Sequence, residues 1–288
     1  MRKGDGADVI ELQGLTKKFG DFTAVDHLDL TIETGAFFGL LGPNGAGKTT
    51  TISMLSTVLL PTEGRMLLDG EVLTRGASAQ KRQLAVITQE YSMRLDMTVD
   101  EVMEYQGRLY FIPVRKIREK SKEILSFVGL DAFRHRTVRH LSGGMKRKLM
   151  IARALLIDPQ VMLLDEPTAG MDAISRRQMW DLLRSLHRDG MTILLTTHYM
   201  EEAEALCEQV ALIDRGKLDI VDTPQNLIAQ LGAFAVDETQ ETRTVSHYFS
   251  RREDAIEHLS AAPEDAALRN TNLEDVFIER LGRKLTGK

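Results

Sequence analysis

Short apolar runs recur along the chain, separated by longer stretches in which apolar residues return every three to four positions. Residues 9–12, 28–32, 37–41, 66–68, 84–88, 161–164, 192–196 and 210–213 read as strands. Several show no alternation of polar and apolar positions, the mark of a strand covered on both faces. Over residues 100–156 the period changes to that of a helix, interrupted at Gly129-Leu130-Asp131 and again over residues 140–144. The pattern predicts an α/β core carrying a helical insertion.

Beyond Pro224 the character changes. Residues 225–231 have a helical pattern, and residues 237–244 are polar enough for a linker, a loop or a sheet edge. Ser250-Arg251-Arg252-Glu253 has the spacing of a helix capping box. Residues 272–281 place Leu273, Val276, Phe277 and Leu281 on one helical face. These features predict a main domain over residues 1–221, its helical subdomain at about 98–157, and a small αβ extension over residues 222–288, with an assembly or regulatory role.

Composition narrows the function classes. With 43% hydrophobic and 27% charged residues in 288, the chain has the make-up of a soluble globular protein with a sizeable core. A net charge of -5 offers no general attraction to nucleic acid or to an anionic membrane surface, so no nucleic-acid partner is expected. The single cysteine, Cys207, cannot form an intrachain disulfide and is expected as a buried apolar residue in a reducing, cytoplasmic setting. No run approaches the roughly 18 apolar residues of a membrane-spanning helix. Residues 1–6 lead into no apolar signal core. The expectation is a protein that is neither secreted nor membrane-spanning by itself.

Candidate chemistry begins at Gly42-Pro43-Asn44-Gly45-Ala46-Gly47-Lys48-Thr49, which fits G-x-x-x-x-G-K-[ST] between an apolar strand and a helical run. Glycines let the backbone wrap a polyphosphate, and its N–H groups and the helix N-terminus face the negative charge. Lys48 would reach the β and γ phosphates, and Thr49 would ligate Mg²⁺. Residues 161–167 form an apolar strand ending in Asp165-Glu166-Pro167. Asp165 suits a Mg²⁺ contact, and Glu166 is placed to polarise the water that attacks a γ-phosphate.

Leu141-Ser142-Gly143-Gly144-Met145 ahead of a helix completes the set. With it the sequence resembles the ATP-binding-cassette family over residues 9–221. The resemblance implies a P-loop NTPase fold with a mostly parallel core sheet, an antiparallel β subdomain and a helical subdomain. It places Phe19 against adenine, where the family more often has tyrosine, Gln89 in a glutamine loop that reaches the metal and the γ-phosphate, and His198 as a switch histidine. ATP and Mg²⁺ are the implied cofactors. Gly42, Asn44, Gly45, Gly47, Lys48, Thr49 and Thr50 would bind the nucleotide from one subunit, Ser142, Gly143 and Gly144 would complete the site of a second, and Asp172, in the Ala169-Gly170-Met171-Asp172 loop after Glu166, is a further nucleotide-binding candidate. Glu166, His198, Lys48 and Gln89 would carry the catalysis, and Thr49, Gln89 and Asp165 would hold the metal. Met145 stands where glutamine is commoner. The neighbouring Lys146-Arg147-Lys148 is expected as the solvated face of the helix.

Thr196-Thr197-His198-Tyr199-Met200-Glu201-Glu202-Ala203-Glu204 and Asn272-Leu273-Glu274-Asp275-Val276-Phe277 look like the daunorubicin-resistance type of exporter ATPase and its relatives, the nodulation-factor exporters among them. That branch implies a separate permease of about six helices, a second ATPase subunit, and a peripheral place on the cytoplasmic face of the cell membrane. An importer ATPase and a soluble assembly ATPase of the iron–sulfur scaffold type are the alternatives.

Overall fold

Strands β1 (Asp8–Phe19) and β2 (Phe22–Glu33) pair antiparallel from Asp8↔Glu33 to Phe19↔Phe22 in the computed structural model, which describes residues 8–240 and 243–282. In the second half of β2, Leu28, Leu30 and Ile32 are buried and alternate with exposed residues, the pattern of a half-covered strand. β3 (Phe37–Leu41) is buried throughout. It runs into α1 (Lys48–Leu55), followed by β4 (Glu63–Leu68), β5 (Glu71–Val72), α2 (Ser78–Lys81) and β6 (Leu84–Ile87). A helical layer follows, with α3 (Val99–Leu109), α4 (Val114–Phe127) and α5 (Gly143–Leu155). Thr98 and Glu101 start α3 with a reciprocal capping box, and Val99, Val102 and Met103 form its buried stripe.

The chain then alternates again through β7 (Val161–Asp165), α6 (Ala173–Arg188), β8 (Thr192–Thr197), α7 (Met200–Leu206), β9 (Gln209–Asp214) and β10 (Lys217–Asp222). The central sheet has the order β10-β9-β3-β8-β7-β6, parallel except for the β10–β9 pair. A separate antiparallel sheet has the order β2-β1-β4-β5. β3 shows why its sequence lacks alternation. Phe37 and Leu41 belong to the core shared with the helical layer, whereas Phe38 and Leu40 belong to the core shared with the antiparallel sheet and α1. Cys207 is buried, and burial pushes its thiol well up.

After Asp222, α8 (Pro224–Leu231) begins with Pro224 behind a Thr223 cap. β11 (Phe234–Gln240), β12 (Arg243–Phe249), α9 (Arg252–Ala261), β13 (Ala267–Asn270) and α10 (Leu273–Phe277) follow, and a π-helical turn over Ile278–Gly282 ends the described chain. β11 lies between β12 and β13 in a third, antiparallel sheet. Of the run read as linker, loop or edge, Asp237 is paired on both sides, residues 238–240 pair with β12 alone, and Arg243 and Thr244 begin β12, an edge strand of this sheet, so most of the run is edge. Asp237 pairs with Arg269 and Ser246, and Glu238 with His258. Residues 241 and 242 lie outside the described residues.

The helix expected after Ser250 is present, but its cap is Arg251, whose side chain accepts from no N–H of the first turn and pairs instead with Asp254 within the helix. The capping box of this region is at Asn272 and Asp275, at the start of α10. Leu273 and Val276 join the main core, where α10 packs on α7 and α8, and Phe277 packs against it. The side chain of Leu281 lies outside the described residues. Among the described residues no helix is long and apolar enough to cross a membrane.

Candidate active site

The phosphate-loop candidate leaves the end of β3 and enters α1. A Cβ at Gly42 would lie 2.2 Å from the carbonyl oxygen of Ile213, so the close approach of loop to β9 admits no side chain. Gly47 caps α1 at φ 107°, a conformation that disfavours any other residue. No side chain caps α1 and no acid lies in its first turn, which leaves its leading N–H groups and positive dipole end suited to an anion.

Lys48 is only 5% exposed. Its ammonium donates to the carbonyls of Gly42 at 2.7 Å and Pro43 at 3.1 Å and stands 3.9 Å from Glu166 Oε1. Burial lowers the pKa of this ammonium, with Glu166 and Asp165 pulling the other way. A cation held out of water in this manner gains from an incoming polyphosphate.

Asp165 ends β7 and is buried. Its Oδ1 accepts from Thr49 Oγ1 at 3.1 Å and from Thr196 Oγ1 at 2.6 Å, which joins α1, β7 and β8. Glu166 follows at φ 47°, in the left-handed region that costs a non-glycine residue energy and that clusters at functional sites. Its N–H is fixed by the Thr196 carbonyl at 3.0 Å. The carboxylate then meets three candidate partners at once. Oε1 is 3.1 Å from His198 Nδ1 and 3.9 Å from Lys48 Nζ, while Oε2 accepts from Gln89 Nε2 at 3.5 Å.

Lys48, Gln89, Glu166 and His198 line an open cleft of about 500 Å³ together with Phe19, Asn44, Gly45, Gly47, Thr49 and Thr50; Asp165 lies behind its wall, bonded to Thr49. Phe19 and Phe22 stand exposed at its mouth, at the turn between β1 and β2, an apolar surface on which a planar base could stack. Phe22 carries no motif of its own and the sequence reading misses it. Thr196 is read from the sequence only as part of the run leading to His198; its place opposite Asp165 comes from the parallel register of β7 and β8.

The remaining site candidates gather elsewhere. Ser142 caps α5 by accepting from the Met145 N–H at 3.2 Å, and Asp172 caps α6 by accepting from Ser175 N–H and Oγ, each at 2.8 Å. A Cβ on Gly144 would touch Ser175 at 3.2 Å, so the two helix starts adjoin. The carbonyl of Gly143 accepts from the Tyr91 hydroxyl at 3.3 Å. None of Ser142, Gly143, Gly144 or Asp172 lines the cleft that holds Lys48.

The basic run after Met145 departs from expectation. Arg147 is 3% exposed and faces inward, its guanidinium donating to the carbonyls of Thr88 and Gln89. Lys148 bonds to Gln178, and Lys146 lies 5.8 Å from the centre of the Tyr91 ring. A guanidinium can satisfy two backbone carbonyls at once, which makes burial tolerable where a lone charge would be costly. Glu202 is a second unheralded group: buried on α7, it accepts from Thr168 Oγ1 at 2.8 Å and Trp180 Nε1 at 3.1 Å, tying α6 and α7 to the loop after Glu166.

Residues 25–169 match the family model described as ABC transporter. The chain is 37% identical over 304 aligned positions to a Nod factor export ATP-binding protein I of Ralstonia nicotianae, covering 96% of this chain and 95% of that protein. It is 33% identical over 302 positions to the daunorubicin resistance ATP-binding protein DrrA3 of Streptomyces coeruleorubidus, covering 95% and 96%. Among solved structures, cbiO1 of Clostridium perfringens, described as part of the ABC transporter complex cbiONQ, shares the fold with a TM-score of 0.72 at 24% identity, over 78% of this chain and 92% of that one. A dimeric ATP-binding cassette in a post-hydrolysis state, bound to ADP and Pi, matches with a TM-score of 0.66 at 25% identity, over 74% of this chain and 98% of that one. The chain belongs to the ABC transporter family, as an ATP-hydrolysing subunit of a transporter.

Proposed function

We propose that this subunit drives an exporter, working as a head-to-tail pair that closes around two ATP molecules and moves a separate permease of about six helices at the cytoplasmic face of the membrane. The observation that carries the pairing is the separation within one chain of the Lys48 cleft from the cluster of Ser142, Gly143, Gly144 and Asp172. A single subunit offers a γ-phosphate its own loop but not the start of α5; a second copy, turned head to tail, brings that helix N-terminus to the open side of the cleft. The dimeric state of the post-hydrolysis cassette supports the arrangement. Export rather than assembly of iron–sulfur scaffolds is favoured by relatives named for export and drug resistance that align over 95–96% of the chain, a span that must take in most of residues 222–288. Those residues are proposed as an extension to a main domain of residues 1–221.

Thr49, Asp165 and Gln89 would hold Mg²⁺: hydroxyl, carboxylate and amide oxygens are the hard donors that the ion takes, and two of them already meet at 3.1 Å. When bound, the ion neutralises charge on the β and γ phosphates. Lys48 and the N–H groups from Asn44 to Thr50 bind and orient the phosphates, with Gly42 and Gly47 allowing their close approach. Phe19 and Phe22 receive the base. Glu166 accepts the proton of the attacking water, His198 holds that carboxylate in place, and Gln89 reports the γ-phosphate to the loop behind it.

The test is the oligomeric state by sizing in ATP and Mg²⁺. Glu166→Gln should trap ATP and run as a nucleotide-dependent dimer, and Glu166→Gln with Ser142→Arg should run as a monomer that still binds ATP. A cassette interface equally tight without nucleotide in a chain truncated after Val221 would overturn the pairing.

A further inference from the structure

Away from the cleft, the third sheet carries a constellation that ATP hydrolysis leaves unused. Glu238 on β11, His247 on β12 and His258 on α9 each bring one ligand-capable atom to within 4.8 Å of the others. The backbone dictates this meeting. Val236 pairs with His247 and Glu238 with Val245 across the antiparallel strands, so Glu238 and His247 are diagonal neighbours on one face of the sheet. α9 packs on the sheet with Ala255 fully buried, and His258, three residues on, falls on the same side of the helix.

The geometry is that of a carboxylate shared by two imidazoles. His258 Nε2 lies 2.7 Å from Glu238 Oε1, and His247 Nε2 lies 3.7 Å from Oε2. Ligand atoms around a tetrahedral ion at zinc-like bond lengths are about 3.4 Å apart, and the two observed separations bracket that value. The side chain of Glu238 is 11% exposed in the seam between helix and sheet, while those of His247 and His258 are 39% and 34% exposed. The carboxylate is thus preorganised, and the imidazoles leave an entry path and a place for water as a fourth ligand. Among the described residues no lysine or arginine forms an ion pair with Glu238.

We infer that Glu238, His247 and His258 form a binding site for a divalent first-row transition ion of the zinc class, which fastens α9 to the β11–β12 hairpin. Two neutral imidazole nitrogens and one carboxylate are a common donor set for such ions and a poor one for magnesium or calcium, which take oxygen. The site is chemically distinct from the all-oxygen set at Thr49, Gln89 and Asp165. Binding would need His258 Nε2 free of a proton and would replace the contact between helix and sheet with a three-point link.

The experiment uses the full-length protein without a histidine tag, stripped with chelator and free of nucleotide. Zn²⁺ is titrated in competition with a chromophoric chelator, and Co²⁺ by its visible absorption, with and without excess Mg²⁺. The expected result is a single high-affinity equivalent that Mg²⁺ does not displace. His247→Gln and His258→Gln, which retain hydrogen-bonding capacity, should each weaken it roughly 10- to 100-fold or more, the scale on which even outer-shell contacts act. Far-UV circular dichroism and Lys48-dependent ATP binding, unchanged in these variants, establish that they fold. Failure of the wild-type protein to take up a Zn²⁺ equivalent at micromolar concentration would overturn the inference. So would unchanged affinity in the double variant, which would place the ion on other side chains.

Discussion

Arg147 holds Gln89 by its main chain: the guanidinium Nη2 donates to the Gln89 carbonyl at 2.9 Å, and Nη1 donates to the carbonyl of Thr88. Both acceptors begin the segment that follows β6, while Arg147 belongs to α5, which Ser142 caps. The loop whose amide touches Glu166 is therefore anchored to the helix that would meet the partner's ATP. Burial works against the charge on Arg147, and Tyr91 and Asp165 support it.

Removing that fork should loosen the Gln89 loop without touching the phosphate site. Arg147→Met keeps the length and apolar stem and is expected to lower kcat by about 10-fold or more, the effect of a small misplacement near reacting groups. Arg147→Lys should restore little, since lysine lacks the rigid planar fork whose two nitrogens each reach one carbonyl. Steady-state ATPase assays measure it, with KM for ATP little changed; equal kcat in all three proteins would reduce the contact to packing.

Glu166→Gln should slow turnover by roughly 10²- to 10⁴-fold while ATP binding survives. The amide keeps the shape of the side chain beside His198 and Lys48 but cannot take a proton. Single-turnover hydrolysis alongside equilibrium nucleotide binding separates the two effects. Turnover at the wild-type rate would remove Glu166 from the chemistry.

Glu202 makes a stability prediction. Burial raises its pKa, and the hydrogen bonds from Thr168 and Trp180 offset only part of that. Glu202→Ala would leave two buried donors without an acceptor, at about 1–3 kcal/mol each. Glu202→Gln retains an acceptor, sheds the buried charge and should cost much less. Urea denaturation of the two variants provides the comparison; equal losses would show that the carboxylate charge itself matters.

The extension should respond to acid through Arg269, which reaches Asp237 at 2.6 Å and Asp275 at 2.7 Å. Burial alone would raise both carboxyls, but the Arg269 hydrogen bonds and charge, with other partners, hold them below the usual carboxylate range. Because the folded values lie below the unfolded ones, the contribution is complete above about pH 4 and is lost as pH falls through the folded values. Melting curves below about pH 4 should show this loss in the wild type. Arg269→Met should be less stable at neutral pH and show a shallower acid dependence, and an unchanged slope would exclude these two carboxylates as its source.

Local pattern carried the secondary structure of the core and the linear motifs. The strand at residues 161–164 is legible because it is covered on both faces, and Gly42 to Thr49 because a tight turn, a close backbone approach and a helix start each demand a particular residue type within eight consecutive positions. Asp165 and Glu166 stand out because carboxylates at the end of an apolar strand need a reason to be there, and the side chains of Lys48, Gln89, Glu166 and His198 do meet in one cleft.

What the tertiary structure decided is where buried polar groups find partners. Arg147 sits in a basic run that reads as surface; its acceptors lie 59 and 58 positions away, and only the packing of α5 against the end of β6 turns it inward. Residues 237–244 read as linker, loop or edge, and the partners of Asp237 and Glu238 are hidden for the same reason, since a polar run predicts exposure until Arg269, 32 positions on, and His258, 20 positions on, are brought alongside. Hydrophobic periodicity records which face of an element leaves water, and that is a local property. The partner of a carboxylate or a guanidinium is chosen by strand register and helix docking, which bring distant parts of the chain together only in the folded state.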